Sequence, residues 1–426
     1  MFKFSQLYRL LCILSVVLIA CNNHNSVKGN NWNKPLSKTA FQILGDTNYQ
    51  AICYGGYRKN TRDSQSTLSQ ITEDMRILNA MGIKLLRTYN THYAEIETIL
   101  QAIAQLRSEN SNFEMYVMLG VWIECENAWT EKEPNHDKEN EKANAAEIKK
   151  AVELANQYPD IVKMIAVGNE AMVKWATNYY VQPSVIYKWV NYLQLLKQKK
   201  QLDRDLWITS SDNFASWGGG DSSYHVEDLK KLYQAVDFIS IHTYPMHDTY
   251  YNPSFWGTLP KENHLTKEVQ IDSMMKRTLN YAKRQYLGVY KYMKSIGVNK
   301  PIHIGETGWS TNSNDLYGSN GTKACDEYKS AKYYQLIREW TNKEKMTCFY
   351  FEAFDENWKD SNNTAGSENH FGLFTVNGNA KYALWNMVDK GVFKGLKRDG
   401  NLIEKTYKGN KEALFEIVEL PAKLKQ

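Results

Sequence analysis

Two short stretches put a carboxylate where chemistry could be done. In Gly305-Glu306-Thr307-Gly308-Trp309-Ser310 an acid lies between glycines, and an indole follows three residues on. Glycine admits a close approach of backbone or ligand that a side chain would block. Met164-Ile165-Ala166-Val167-Gly168-Asn169-Glu170 ends in a second acid, with an amide side chain just before it. Both acids follow short apolar runs, as buried parallel strands do. A lone Glu at a strand end reads as an ion-pair partner. Two of them suit a different task, in which one carboxyl protonates a leaving oxygen while the other attacks or activates water. Cleavage of a glycosidic bond requires such a pair. One group must then stay protonated and the other ionised, which closeness itself promotes, because one negative charge raises its neighbour's pKa.

For the acids to meet, their strands must end on one face. Strand-like runs alternate with helix-like ones along residues 46–393. Ala51-Ile52-Cys53-Tyr54 precedes a helical pattern of Leu68, Ile71, Met75 and Leu78, and Lys84-Leu85-Leu86-Arg87-Thr88-Tyr89 precedes one of Ile96, Ile99, Leu100 and Ile103. Further strands are read at residues 115–120, at the run ending in Glu170, at 206–210, 238–242, at the run before Glu306, and at 347–351. Eight βα units favour an α/β fold of the (β/α)8 barrel type, in which all strand ends share one face. Two long polar loops, 122–144 and 245–268, lengthen it. Glu170 and Glu306 are then expected in one pocket, among Tyr54, Arg87, Tyr89, Trp122, Asp212, His242, Tyr244 and Asp355. Arg87 is placed to keep Glu306 ionised, Tyr244 to donate to the same carboxylate, and Asn169 to bond a sugar 2-hydroxyl, with retention of configuration. Trp309 and Trp358 either stack on sugar rings or pack beneath loops. Glu124, Cys125, Glu126 and His136 lack tight ligand spacing and read as a solvated loop, with no metal. Cys53 and Cys348 lie in apolar runs and read as buried thiols, whereas Cys125 and Cys325 lie in loops and could pair. Residues 394–426 read as a charged appendage, with a hairpin turn at Asp399-Gly400.

The chain opens with Lys3, Arg9 and an apolar segment over residues 10–20, too short to span a membrane. Leu18-Ile19-Ala20-Cys21 resembles a bacterial lipobox. That resemblance implies removal of residues 1–20, lipidation of Cys21, a polar tether over 21–45, and attachment to a lipid bilayer at the cell envelope, on the outer membrane or cell surface. The 52 basic and 47 acidic residues give a formal net charge of +5 without a dense basic run, which argues against a nucleic-acid partner.

The ordered motifs resemble glycoside hydrolase family 17, the β-1,3-glucanase family of retaining barrel hydrolases. Ile52-Cys53-Tyr54-Gly55 and Leu86-Arg87-Thr88-Tyr89-Asn90 are similar to its first two strands. Ala166-Val167-Gly168-Asn169-Glu170 is similar to its acid/base motif, and Glu306-Thr307-Gly308-Trp309 to its nucleophile motif. Phe354-Asp355-Glu356-Asn357-Trp358-Lys359 and Glu368-Asn369-His370-Phe371-Gly372-Leu373-Phe374 resemble its closing signature. The resemblance implies Glu170 as general acid/base and Glu306 as nucleophile. It also places Glu356, Lys359 and Glu368 near the glucan; Tyr54, Tyr89, Trp309 and Phe354 are further candidate substrate contacts, with no cofactor and a monomeric chain expected. Ser310-Thr311, His242-Thr243-Tyr244 and Asn90 depart from the usual pattern, which touches linkage and subsite preference more than the reaction. The expected activity is hydrolysis of β-1,3-glucan. Glucanosyl transfer on the same site, or a surface glycan-binding lipoprotein on a decayed barrel, are the alternatives; intact Glu170 and Glu306 argue against decay.

Overall fold

A computed structural model describes residues 37–424. The eight expected strands form β1 (Gln50–Cys53), β2 (Ile83–Arg87), β3 (Tyr116–Val121), β4 (Val162–Asn169), β5 (Trp207–Asn213), β6 (Ile239–His242), β7 (Ile302–Gly308) and β8 (Cys348–Phe351). Each pairs in parallel with its sequence neighbours, and β8 returns to β1 through Ala51↔Phe349 and Ile52↔Tyr350, closing the barrel. All six residues of β3 are buried, the mark of a strand covered on both faces. The fold is therefore the (β/α)8 barrel that the alternation of elements predicts.

Helices α1 (Leu68–Ala80), α2 (Glu95–Glu109), α3 (Glu141–Gln157), α4 (Pro183–Gln198), α5 (Glu227–Ala235), α6 (Lys267–Ser295), α7 (Glu327–Lys343) and α8 (Trp385–Asp389) follow the strands. Local chemistry sets their starts. Thr67 and Gln70 form a reciprocal capping box on α1, Pro183 opens α4, and Asp326 caps α7 by accepting from the Lys329 amide. Ile71, Met75 and Leu78 of α1 are wholly buried against the barrel, as their spacing requires.

The loops hold more structure than their polarity suggests. Residues 122–144 contain a two-stranded hairpin of Cys125–Glu126 with Asn135–Glu139, and α3 already begins inside that span. Residues 245–268 contain a short helix, Pro245–Tyr251, and two single helical turns. Residues assigned to the end of the tether also belong to the folded body: Ala40–Ile43 is a turn capped by Thr39, with Ala40 and Ile43 fully buried. Two apolar residues are too few to register as a periodic pattern. The leader over residues 1–20, Cys21 and the tether up to residue 36 lie outside the described residues. Cys53, Cys125, Cys325 and Cys348 are all free thiols, so Cys125 and Cys325 do not pair.

The barrel mouth has a polar lining. The Ser211 hydroxyl lies 2.9 Å from that of Ser240 and 2.8 Å from His242 Nε2. Both hydroxyls press on Gly305, where an added Cβ would fall 2.0 Å from Ser240 Oγ and 2.4 Å from Ser211 Oγ. Glycine is thus required one residue before Glu306.

Candidate active site

Strand β7 delivers Glu306 to this polar layer, and the residue is only 8% exposed. Arg87, at the end of β2, gives one guanidinium nitrogen to Glu306 Oε2 and the other to Asn169 Oδ1 at 2.5 Å. Tyr244, just beyond β6, donates its hydroxyl to Glu306 Oε1 at 2.5 Å. Burial alone would push the Glu306 carboxyl up. The charges of His242 and Arg87, with hydrogen bonds from Tyr244 and Arg87, reverse this and bring it down to about 2. Glu306 is therefore an ionised carboxylate clamped at both oxygens, and both contacts expected for it are present.

Glu170 directly follows β4. Its backbone amide donates to Ser211 O at 3.1 Å, and its φ of +46° lies in the left-handed region. A non-glycine residue held there is strained, a condition that clusters at functional sites. Its carboxylate lies 3.0 Å from His242 Nδ1, whose other ring nitrogen meets Ser211. His242 is wholly buried, whereas the Glu170 side chain is 26% exposed, so this acid is the more accessible of the two. Asp212, at the end of β5, accepts from the Met172 amide at 2.7 Å and from Ser216 at 2.7 Å. It thereby fixes the turn after Glu170. Burial pushes Asp212 up to about 6, against those hydrogen bonds.

A cavity of about 1240 Å³ opens over this floor, lined by Glu306, Asn169 and Tyr89 among others. Glu356, Lys359 and Glu368, from the segment after β8, stand in its wall. Lys359 Nζ lies 2.5 Å from Glu352 and 3.4 Å from Glu356, with the Phe351 ring 4.0 Å away. Burial drives the Glu352 carboxyl well above the ordinary range; Lys359 opposes this and Glu356 adds to it. Gly55 lets Glu356 approach, since a Cβ there would sit 2.2 Å from Glu356 Oε1.

Four expected pocket residues lie elsewhere, Asp355 among them, where Lys381 and the Gly372 amide hold its carboxylate. Tyr54 turns outward, because Cys53 before it faces the lumen beside Arg87 and alternation sends the next side chain the other way. Its hydroxyl donates to Asp74 of α1 at 2.8 Å. Trp309 is fully buried beneath the loops, against Trp256 and Tyr333, with its indole N–H on Ala324 O. Phe354 stacks on Phe374 beneath the guanidinium of Arg398. Trp358, left open between stacking and packing, lines the cavity. Sequence reasoning missed Tyr57, Arg62, Tyr93 and Tyr179 in the wall, all carried by irregular loops, and Glu95, the first residue of α2. Glu352, the residue after β8, was open to the same strand-end argument that found the other acids.

Residues 51–372 match the family described as "BtgE/BtgC glycoside hydrolase domain". The chain belongs to this family. As a BtgE/BtgC-type glycoside hydrolase, it is 25% identical over 307 residues to a putative glucan endo-1,3-beta-glucosidase, btgC, of Aspergillus niger. That alignment takes in 70% of this chain but only 37% of the Aspergillus protein, so the chain spans a little over a third of that relative. An endo-laminarinase from Formosa Hel1_33_131 of known structure is 62% identical, with a TM-score of 0.91, over 91% of this chain and 99% of its own. A Rhizomucor miehei beta-1,3-glucanosyltransferase superposes with a TM-score of 0.52 at 17% identity, over 79% of this chain and 97% of its own, a likeness of fold. The matched family span reaches all eight barrel strands, entering β1 at Ala51, and contains both glutamates and the Glu356–Lys359–Glu368 wall. It stops short of the C-terminal segment that contributes Arg398.

Proposed function

We propose that this chain is an endo-acting hydrolase of β-1,3-glucan, of glycoside hydrolase family 17, working by double displacement. Glu306 is its nucleophile and Glu170 its general acid/base. The observation that carries the reading is the doubly clamped, ionised Glu306, joined through Arg87 and Asn169 to the rim that bears the more accessible Glu170. Likeness to the Formosa endo-laminarinase supports the substrate and the endo mode.

In the first step a Glu306 oxygen bonds to the anomeric carbon as the bond to the leaving sugar breaks. Glu170 gives its proton to the departing oxygen. In the second step Glu170 takes a proton from water, water oxygen bonds to the same carbon, and the ester to Glu306 opens. Two inversions leave the configuration retained. Arg87 and Tyr244 hold the Glu306 oxygens in line without costly reorganisation. Asn169 accepts from Arg87 through its carbonyl oxygen, which leaves its amide nitrogen to donate to the sugar 2-hydroxyl.

Incubation with β-1,3-, β-1,4- and β-1,6-glucans tests the reading. Short oligosaccharides are expected from the first alone, with the β-anomer as initial product by NMR. An α-anomer as initial product, or an active Glu306→Ala variant, overturns the mechanism. We extend the proposal to address: the Leu18-Ile19-Ala20-Cys21 motif supports lipidation at Cys21 and display at the cell envelope. Cys21→Ser is then expected to move the enzyme from the membrane fraction to the soluble fraction.

A further inference from the structure

We propose that Trp129, Tyr179 and Trp122 form a glucosyl-binding platform on the leaving-group side of the cleavage point. The platform would favour long substrates and retain a sugar acceptor. This rests on the functional reading above.

The three rings form one continuous aromatic surface. Trp129 stacks on Tyr179 at 5.3 Å and 22°, and Trp122 lies 4.9 Å from Tyr179 and 6.4 Å from Trp129. All three line the same cavity as Glu306 and Asn169. Trp129 is 60% exposed and has a φ of +59°, an uncommon place for so bulky a residue. An exposed indole held in a strained turn is a poor packing element, but it offers a flat apolar face of the kind a pyranose ring covers.

The surface is built rather than incidental. Trp129 rides on the hairpin of Cys125–Glu126 and Asn135–Glu139, which is fastened to the segment after β4. The Cys125 amide donates to Tyr179 O at 3.0 Å, while His136 bonds to Tyr180 O at 2.8 Å and stacks on the Tyr180 ring. The Trp122 indole N–H donates to Glu124, which also accepts from Asn140. The Trp122 ring is therefore held by its own hydrogen bond, and the backbone segments that carry Trp129 and Tyr179 are fastened to each other, all outside the sugar path.

Position decides which part of the substrate it meets. The platform hangs on the loops after β3 and β4, the latter being the strand that carries Glu170. Burial raises the Tyr179 pKa, and the Glu170 charge, followed by those of Asp212 and Glu306, adds to it. Glu170 protonates the leaving oxygen, so sugar units lying beyond it on its own side belong to the leaving chain. A second aromatic arm, with Tyr57, Tyr93 and Trp358 around Arg62, rises from the loops after β1, β2 and β8 and serves the other end. After the first step the leaving-side platform holds either the departing product or a new acceptor. It therefore biases the partition of the glycosyl-enzyme between water and sugar.

The test is Trp129→Ala beside Trp129→Phe on a ladder of β-1,3-gluco-oligosaccharides from trimer to heptamer. For Trp129→Ala, kcat/KM is expected to fall about tenfold on the heptamer and far less on the trimer. The share of elongated products at high oligosaccharide concentration should fall with it. Trp129→Phe should recover most of both. An equal loss at every chain length in both variants would mean a damaged hairpin and overturn the platform, as would wild-type behaviour of Trp129→Ala throughout. If the wild-type enzyme released nothing from any member of the ladder, the functional reading would fall first and take the platform with it.

Discussion

Glu306 owes its charge to neighbours rather than to water. Its carboxyl lies near 2 instead of the ordinary 4.5, so its ionisation stabilises the fold fully above about pH 4.5. That contribution is lost as pH falls from there through about 2. Removing the guanidinium in Arg87→Met should move the Glu306 titration upward by about 1 unit or more. The expected result is an acid limb of kcat/KM shifted to higher pH, together with a lower kcat. Tyr244→Phe removes one hydrogen bond to a charged oxygen, worth about 1.5–3 kcal/mol, and should cost at least about tenfold in kcat. Tyr54 makes the contrast. It bonds Asp74 and not the cavity, so Tyr54→Phe should cost about 1.5–3 kcal/mol in denaturant unfolding and leave KM for laminarin as it was.

At the scale of elements, β7 depends on Gly305. Gly305→Ala would drive a methyl into Ser211 and Ser240, overpacking worth about 1–3 kcal/mol. Because Glu306 follows directly, the variant should lose kcat as well as stability, and Ser240→Ala in the same chain should restore part of both. The eight strands were legible in the sequence because parallel strands buried on both faces become short apolar runs, and helices between them repeat every three to four residues. The two acids were legible for a related reason: a barrel puts every strand end on one face, so a carboxylate closing an apolar run declares its position. That argument stops where the strands stop. Trp309 and Phe354 lie past their strand ends, where chain direction is set by loop packing, and both turn into the core. The hairpin carrying Trp129 was hidden because its strand Asn135–Glu139 is polar on both sides, with no alternation to read.

Across the whole molecule, the C-terminal segment behaves as a strap rather than an appendage. The hairpin of Lys397–Arg398 with Asn401–Leu402 turns at Asp399-Gly400, and it inserts Arg398 into a fully buried site. There its Nε meets Asp74 of α1 at 2.9 Å, while its guanidinium lies 3.9 Å from the Phe354 ring after β8. Arg58 and Tyr54 also bond Asp74, so the first and last βα units share one buried anion. Lys381 ties Asp355 to Thr311 and His370 O, joining the loops that follow β7 and β8 beside the cavity wall. Breaking a buried pair by removing one partner costs about 3–5 kcal/mol, because the other charge stays buried; Arg58 and Tyr54 should hold Arg398→Met to the low end. Replacing both partners, as in Arg398→Met with Asp74→Asn, should cost less than the two single changes added together. A double-mutant cycle by denaturant unfolding measures that coupling, expected at about 1–3 kcal/mol. Strict additivity would show that Arg398 and Asp74 act separately, and the strap would then hold by packing alone. If the coupling is present, a chain ending at Phe393 should lose the β8–α1 junction first, and with it the placement of Glu356 and Lys359 in the cleft.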